Sequence, residues 1–202
     1  IEIEDIKYAN KLGYKIKLIS ESYIDENKII SVVEPKLVRK DSYLANVQGV
    51  LNAIKIETDH LNSIVLEGEG AGGKATASSI ISDIYEISIN NKLNSLGYKI
   101  DQLKEFNKFD VSNNLSPFYL RITAKDIPGV LAKITSSLND EGISIETILQ
   151  IPESNKVKES IPIIIMTHDT TKNLLKNAIK KIEKIDFILK KITNLKIDKN
   201  FD

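Results

Sequence analysis

The sequence predicts an α+β protein in which an antiparallel-sheet segment is followed by a ferredoxin-like βαββαβ domain. Two pairs of strand-like segments occur in the first part of the chain, and from residue 117 strand and helix patterns alternate in the ferredoxin-like order. A polar, asparagine-rich stretch without clear periodicity separates these two parts. The 202 residues suffice for two domains of about 100 residues each. We therefore expect domains at 1–89 and 117–202, joined by a linker over 90–116.

Composition excludes several functional classes. Lys+Arg 28 and Asp+Glu 28 cancel, which argues against a nucleic-acid partner or a polybasic membrane reader. The absence of cysteine excludes disulfides, thiolate metal sites and cysteine nucleophiles, and the two histidines are far apart, so no metal site is predicted. No apolar run approaches the roughly 18 residues of a membrane span, and no signal peptide is visible. We expect a cytoplasmic protein with no membrane partner.

The only methionine is Met166, so no residue here could be an initiator. Ile1 also stands where a helix is about to begin, because apolar residues three apart predict a helix over 5–12 that ends at Gly13. We therefore expect the chain to be a piece of a longer polypeptide.

The first domain is predicted to contain two hairpins and a longer helix. Segments 14–19 and 28–33 form the first hairpin, and Pro35 is expected to end its second strand because proline cannot continue an interior ladder. Segments 53–57 and 63–67 form the second hairpin. The simplest arrangement places all four strands in one antiparallel sheet. An amphipathic helix is then predicted over residues 74–89.

The glycine-rich stretch 68–73 partly matches two nucleotide-binding fingerprints. Gly68-x-Gly70-x-x-Gly73 follows a strand and precedes a helix, but no second parallel strand ending in an acidic residue follows about 20 residues later. Ala75 stands where a phosphate-binding loop needs Ser or Thr for magnesium. What remains is a glycine-rich turn at a helix N-terminus, either structural or facing a ligand.

The second domain has the element order of a split βαββαβ unit. Strand patterns cover 118–124, 143–151, 161–167 and 187–197. Helix patterns cover 128–139 and 171–185, each with an apolar stripe. Both stripes are expected to cover one face of a four-stranded antiparallel sheet and to leave the other face free to pair with something else.

The segment Asp126-Ile127-Pro128-Gly129 lies where the first strand of this domain turns into its first helix. Pro128 suits a first helical turn, and Gly129 permits a close approach of the backbone. Asp126 could accept hydrogen bonds from helix amides or bind a ligand ammonium group. The spacing alone favours a capped turn over a ligand site.

No catalytic residue is predicted within the chain. His60 lies in a polar hairpin turn and His168 at the end of a strand, where solvated turn residues are expected. The lysines between positions 176 and 191 are interrupted by Glu183 and Asp186, which indicates a solvated helix face.

A series of motifs nevertheless runs through the first domain. They are Asp5-Ile6-x-Tyr8-Ala9-x-x-Leu12-Gly13-Tyr14-x-Ile16-Lys17-Leu18, Pro35, Leu44-Ala45-Asn46-Val47, Gly49-Val50-x-Asn52-Ala53 and Gly68-x-Gly70-Ala71-Gly72-Gly73-x-x-Thr76-Ala77-Ser78. In this order they resemble the segment that follows the catalytic region of homoserine dehydrogenases. Residues 117–197 resemble an ACT domain, the amino-acid-sensing module attached to many of these enzymes. Glu69 and the Lys74-Ala75 pair depart from the usual family pattern.

The resemblance implies an NAD(P)-dependent enzyme that interconverts L-aspartate 4-semialdehyde and L-homoserine in threonine and methionine biosynthesis. By family pattern, the Rossmann domain and the catalytic lysine lie outside this chain, so it is expected to be inactive alone. NAD or NADP is the implied cofactor, which the chain is not expected to bind tightly. The implied cofactor-binding residues are Gly70, Ala71 and Gly72.

For the ACT domain, the resemblance implies an amino-acid effector, L-threonine being the first to test, at the junction of paired modules in a homodimer or tetramer. The implied effector-binding residues are Asp126, Pro128, Gly129, Val130 and Leu131 in the loop, with Ile145, Thr147 and Gln150 on a facing strand. The alternatives are a non-catalytic ACT amino-acid sensor and a dimerisation module that binds nothing.

Overall fold

The computed structural model describes residues 1–25, 28–89, 97–105, 107–108, 111–150 and 160–199. The helices are α1 (Ile3–Lys11), α2 (Tyr43–Asn46), α3 (Gly73–Ser88), α4 (Val130–Asn139) and α5 (Lys172–Ile182). The strands are β1 (Tyr14–Asp25), β2 (Lys28–Arg39), β3 (Leu51–Thr58), β4 (Asn62–Glu69), β5 (Asn107–Lys108), β6 (Phe118–Lys125), β7 (Ile145–Gln150), β8 (Ser160–Thr167) and β9 (Thr193–Ile197). Single 3-10 turns occur at Ile100–Gln102 and Val111–Asn113.

The chain forms two compact units that do not follow the predicted domain boundaries. One unit combines residues 1–45 with residues 108–202, and the other comprises residues 46–107. The beginning of the predicted first domain therefore packs with the predicted second domain. The stretch 90–116, predicted as a linker, contains both 3-10 turns and β5; its residues 90–96, 106 and 109–110 lie outside the described residues.

The larger unit is built on a sheet with the strand order β1-β2-β9-β6-β8-β7, with β5 paired to β2 off this path. Strands β6 to β9 pair antiparallel in the order β9-β6-β8-β7, the arrangement of a ferredoxin-like unit. This confirms the predicted fold class for the second half. Strand β2 then joins the β9 edge in parallel, with Lys36 opposite Lys196 and Leu37 opposite Ile197.

Helices α4 and α5 cover one face of this sheet, as their apolar stripes predict. The buried stripe residues are Val130, Ile134 and Leu138 of α4 and Leu175, Ala178 and Ile182 of α5. They form one core with the strand residues that point to the same side, among them Leu120, Ile122, Ile163 and Ile165. Thr171 begins α5 by accepting a hydrogen bond on Oγ1 from the Leu174 amide at 3.3 Å.

Helix α1, from outside the βαββαβ unit, covers the opposite face of the sheet, the face that was expected to be free to pair with something else. Tyr8 and Ala9 of α1 are buried. They pack in a second core with Leu37, Tyr119, Ile164, Met166, Leu195 and Ile197. Successive residues of a strand point to opposite faces of the sheet. The apolar run 163–166 of β8 therefore places apolar side chains on both faces. Such a strand requires cover on both sides of the sheet.

The prediction of a single antiparallel sheet for the first four strands is wrong. Strands β1 and β2 pair from Tyr14 opposite Arg39 to Asp25 opposite Lys28, within the large sheet. Strands β3 and β4 form a separate two-stranded sheet. Alternation of apolar and polar residues predicts that two strands form a hairpin. It does not predict whether that hairpin joins the large sheet or forms a sheet of its own.

Two predicted strand ends also differ. Strand β2 continues through Pro35, which lies opposite Leu18, and its pairing with β9 begins only at Lys36. Pro35 has no N–H group to donate, and it lies before the stretch in which β2 pairs with β9. The last strand begins at Thr193 rather than at 187, because the preceding residues form only an isolated bridge between Ile188 and Ala124.

Candidate functional site

The glycine turn, residues 68–73, joins β4 to α3. The Gly70 amide donates to the Val50 carbonyl at 3.2 Å, which ties the turn to the start of β3. A Cβ at Gly70 would lie 1.6 Å from Nδ2 of Asn52, so any larger residue would displace that side chain. Gly72 has a φ of 130°, a conformation that favours glycine, and its carbonyl accepts from both the amide and the Oγ1 of Thr76 at 3.0 Å. The shape of the turn thus depends on glycine at positions 70 and 72.

The glycine turn presents its backbone to the outside. Gly70, Ala71 and Gly72 are all exposed, and among the described residues nothing lies within 4 Å of a Cβ built at Gly72. The first-turn amides of α3 have no acceptor within the helix, and this helix end favours negative charge. The turn therefore fits as one wall of a dinucleotide site: it offers donors and open space beside Gly72.

The effector loop, residues 126–129, joins β6 to α4. Its start is fixed by the Lys125 amide, which donates to the Phe187 carbonyl at 2.9 Å. Gly129 has a φ of 88° at the N-cap of α4, and its carbonyl accepts from the Lys133 amide at 3.1 Å. Asp126 and Pro128 are exposed. Within the described part of the chain no side chain caps α4, so the capped turn that the spacing favours is not formed by Asp126.

Two of the predicted effector residues point into the protein instead. Val130 is 4% exposed and belongs to the core beneath α4 and α5, and Leu131 is partly buried against that core. Their side chains stabilise the fold. Only their backbone amides, in the first turn of α4, are placed to face a ligand.

Strand β7 separates the three predicted residues of the facing strand. Residues opposite each other on paired strands point to the same side; Thr147 lies opposite Met166 of the α1 face, and Gln150 opposite Ile163 of the helix face. Ile145 packs against the core on the helix face. A bulge between Ile145 and Thr147 causes this division, since simple alternation would place them together. Ile145 and Gln150 thus share a face that Thr147 does not.

Strand β7 also forms one edge of the large sheet. Its outer backbone groups have no partner strand in the described part of the chain. An edge of this kind is a template for pairing with another strand. The structure therefore offers β7 as a place where a strand of another chain could add to the sheet.

A buried ionic cluster that the sequence analysis did not single out joins α1 to β6. We call Asp5, Tyr119 and Arg121 the Asp5 cluster. Arg121 donates from Nε to Asp5 Oδ1 at 2.6 Å and from Nη2 to Oδ2 at 3.1 Å, and the Tyr119 hydroxyl donates to Oδ1 at 3.2 Å. Asp5 is 0% and Arg121 5% exposed. An arginine inside the apolar stretch 118–124 was the signal in the sequence, because such a charge needs a buried partner.

The charges of the Asp5 cluster reinforce each other. Burial raises the pKa of Asp5, but hydrogen bonds from Arg121 and the Glu2 amide, with the positive charge of Arg121, outweigh it and leave the pKa below its ordinary value. The hydrogen bond to Asp5 raises the pKa of Arg121. Burial and the Asp5 charge raise the pKa of Tyr119, so its hydroxyl remains a donor.

The structure places both histidines at the surface. His60 lies in the turn between β3 and β4, His168 follows β8, and both are exposed. Over the described ranges, no three His, Asp or Glu side chains are grouped so that they could hold a metal ion. None of the described helices is long and apolar enough to cross a membrane.

Comparison with known proteins relates the whole chain to the proteins that its sequence motifs resemble. Residues 1–85 match the family model of homoserine dehydrogenase, and residues 118–187 match that of the ACT domain. The homoserine dehydrogenase of Neisseria gonorrhoeae is 33% identical, covering 100% of this chain and 47% of the relative, and that of Pseudomonas aeruginosa is 32% identical, covering 96% and 46%.

A crystal structure of the homoserine dehydrogenase from Thiobacillus denitrificans matches with a TM-score of 0.81 at 33% identity, covering 96% of this chain and 45% of that one. The chain spans about half the length of the curated relatives it matches. Residues 1–85 belong to the homoserine dehydrogenase family and correspond to the C-terminal region of its members, and residues 118–187 form an ACT domain.

Proposed function

We propose that this chain is the C-terminal part of a cytoplasmic homoserine dehydrogenase. The parent enzyme interconverts L-aspartate 4-semialdehyde and L-homoserine with NAD or NADP, in threonine and methionine biosynthesis. The observation that carries the proposal is the match to these enzymes along the whole chain, at 33% identity. Because the chain spans about half of each relative and, by family pattern, lacks the Rossmann domain and the catalytic lysine, it is inactive alone.

In this proposal the glycine turn forms one wall of the cofactor site. The cofactor, when bound, accepts or supplies the hydride. Gly70, Ala71 and Gly72 contribute backbone only, because a side chain at position 70 would meet Asn52 and one at position 72 would be strained. This role agrees with a chain that binds NAD or NADP weakly without the rest of the site.

Exposed apolar surface around the glycine turn supports assembly with further protein. The exposed apolar residues of α3 are Ile80, Ile81, Ile84, Tyr85 and Ile87. On β3 and β4 they are Leu51, Ile54, Ile56, Ile64 and Leu66. Exposed apolar side chains in this number are typical of a surface that another protein covers. We assign it to the remainder of the dehydrogenase and to a second copy, in a homodimer or tetramer.

The ACT domain is proposed to bind an amino acid at the effector loop, with L-threonine as the first candidate. Asp126 would receive the ammonium group. The backbone over Pro128, Gly129, Val130 and Leu131 would hold the carboxylate, because the α4 amides there are free of intrahelical acceptors. The β7 edge of a second copy supplies the other wall, with Ile145 and Gln150 on one face and Thr147 on the other.

A hybrid enzyme tests the proposed activity. This chain replaces the matching C-terminal portion of the Pseudomonas aeruginosa homoserine dehydrogenase, and NAD(P)H-dependent reduction of aspartate semialdehyde is measured. Activity is expected, and Gly72→Val should lower kcat/KM at least tenfold because it distorts the turn beside the cofactor. Lys74→Ala, an exposed position in the first turn of α3 directly after the glycine turn, is the matched control. A folded, cofactor-binding hybrid without activity would contradict the proposal and favour a non-catalytic ACT sensor.

Thermal unfolding of the chain with each amino acid tests the effector. A ligand at 100 times its Kd adds about 2.7 kcal/mol of stability, a rise in Tm of several degrees. L-threonine is expected to produce this rise and Asp126→Ala to abolish it, whereas Asp169→Ala, another exposed carboxylate, should not. A flat response to every amino acid would leave the family membership standing and reduce the ACT domain to a dimerisation module.

A further inference from the structure

We propose that the Asp5 cluster locks α1 onto the ACT sheet, so that α1 and the ACT domain open and move only as one cooperative unit. Asp5 lies in the segment matched to homoserine dehydrogenase, and Arg121 lies in the ACT domain. The cluster is therefore a contact between the enzyme part and the regulatory part of the chain.

The geometry of the cluster fixes the orientation of α1 as well as its position. Both oxygens of Asp5 are engaged by the fork of Arg121, a bidentate arrangement that tolerates little rotation. Oδ2 of Asp5 also accepts from the Glu2 amide at 2.7 Å, which links the pair to the first turn of α1. Nη2 of Arg121 reaches the Glu2 carboxylate at 3.1 Å and Thr193 Oγ1 at 3.1 Å. The guanidinium thus joins α1, β6 and β9.

Partial opening of α1 is opposed by the charges it would leave behind. Tyr8 and Ala9 contribute apolar contacts, and such contacts alone would allow the helix to slide. A slide or tilt of α1 that separates Asp5 from Arg121 while the sheet face stays covered would leave a buried guanidinium without its carboxylate, which is strongly unfavourable. Complete departure of the helix would hydrate Arg121 but would also uncover the apolar side chains of this face, so α1 stays in place until that face of the sheet opens.

The cluster gives regulation a physical route. Arg121 and the effector loop belong to one continuous strand, because β6 ends at Lys125 immediately before Asp126. A ligand that shifts β6 must also shift α1, and hence the enzyme segment that follows it. This consequence rests on the proposed effector, whereas the locking of α1 does not.

Hydrogen exchange of the full chain without ligand tests the inference. The reporter amides are those from Lys7 to Leu12 in α1, compared with the paired amides of β8. We expect both sets to exchange through the same opening, with protection factors within about tenfold of each other and equal sensitivity to denaturant. Exchange of the α1 amides more than 100-fold faster than the β8 amides would overturn the inference, whatever the variants do.

Variants distinguish a specific effect on the attachment of α1 from a general loss of stability. Arg121→Met and the milder Asp5→Asn should lower α1 protection at least tenfold more than β8 protection. Arg39→Met, which breaks an exposed ion pair to Asp41 in the same sheet, should leave the ratio of α1 to β8 protection unchanged. An equal loss of protection in α1 and β8 in both cluster variants would contradict the inference. Since no ligand is added, this outcome is distinguishable from failure of the proposed function.

Discussion

At the scale of single residues, the charge of Asp5 couples the stability of the chain to pH. The Asp5 pKa is lower in the folded chain than its ordinary value, which is near 3.9 in an unfolded chain. A lowered folded pKa means that the ionised carboxylate stabilises the fold at all pH values above the unfolded pKa. This contribution is lost as the pH falls through the folded pKa.

We therefore expect Asp5→Asn to unfold more easily near neutral pH and to respond less to acid. The variant should lose about 3 kcal/mol of unfolding free energy at pH 7, because Arg121 keeps its buried charge without a carboxylate. The difference between wild type and variant should shrink as the pH is lowered from 5 toward 2. Urea unfolding at several pH values measures this difference.

The exposed pair of Asp41 and Arg39 is the control for that measurement. The hydrogen bond from Arg39 lowers the pKa of Asp41, but the pair lies at the surface, where ion pairs contribute little. Asp41→Asn should leave the unfolding free energy at pH 7 almost unchanged. A difference for Asp5→Asn that stays constant from pH 7 to pH 2 would mean that its charge does not stabilise the fold.

At the scale of elements, the helices and hairpins were predicted from the sequence more accurately than the way in which they pack together. The helix predicted over 5–12 is observed at Ile3–Lys11, and the one over 74–89 at Gly73–Ser88. Both have an apolar periodicity and a nearby glycine, which are local signals. What α1 covers is not local: its burial depends on Tyr119 and Ile164, more than 100 positions away in the sequence.

Local disruptions of pairing explain other differences in the elements and the candidate site. Alternation places Ile145 and Thr147 on one face, but a bulge between them moves Thr147 to the other. A bulge adds one residue to one strand only, and single-sequence periodicity cannot locate it. The turn from strand to helix over residues 126–129 is observed where it was predicted, but α4 begins at Val130 with Gly129 as its N-cap, so Pro128 precedes the helix rather than standing in its first turn.

At the scale of the whole molecule, the two family segments and the two compact units divide the chain differently. The family segments meet between residues 85 and 118, whereas residues 1–45 pack with the ACT domain. The ACT domain of this chain therefore shares one compact unit with part of the homoserine dehydrogenase segment. Its sheet is extended by the β1–β2 hairpin and covered by α1, both of which come from the homoserine dehydrogenase segment.

We expect the excised segment 117–202 to be much less stable than the full chain. Removal of α1 uncovers Ile164, Met166 and Leu195 on the sheet and deprives Arg121 of Asp5. Re-exposure of each large apolar side chain costs about 1.5 to 3 kcal/mol, and the Arg121 guanidinium loses its ion pair although it gains water. The excised segment should unfold at least 10 °C below the full chain in a thermal melt.

A second excised segment shows whether α1 is responsible. Residues 1–45 joined by a flexible linker to residues 108–202 retain α1 and the hairpin, and should melt close to the full chain. In this second segment Arg121→Met should restore much of the instability of 117–202, because the helix remains but loses its buried partner. If 117–202 alone melted at the temperature of the full chain, then α1 would be an accessory to a self-sufficient ACT fold. Regulation would then have to reach the enzyme by a route other than this helix.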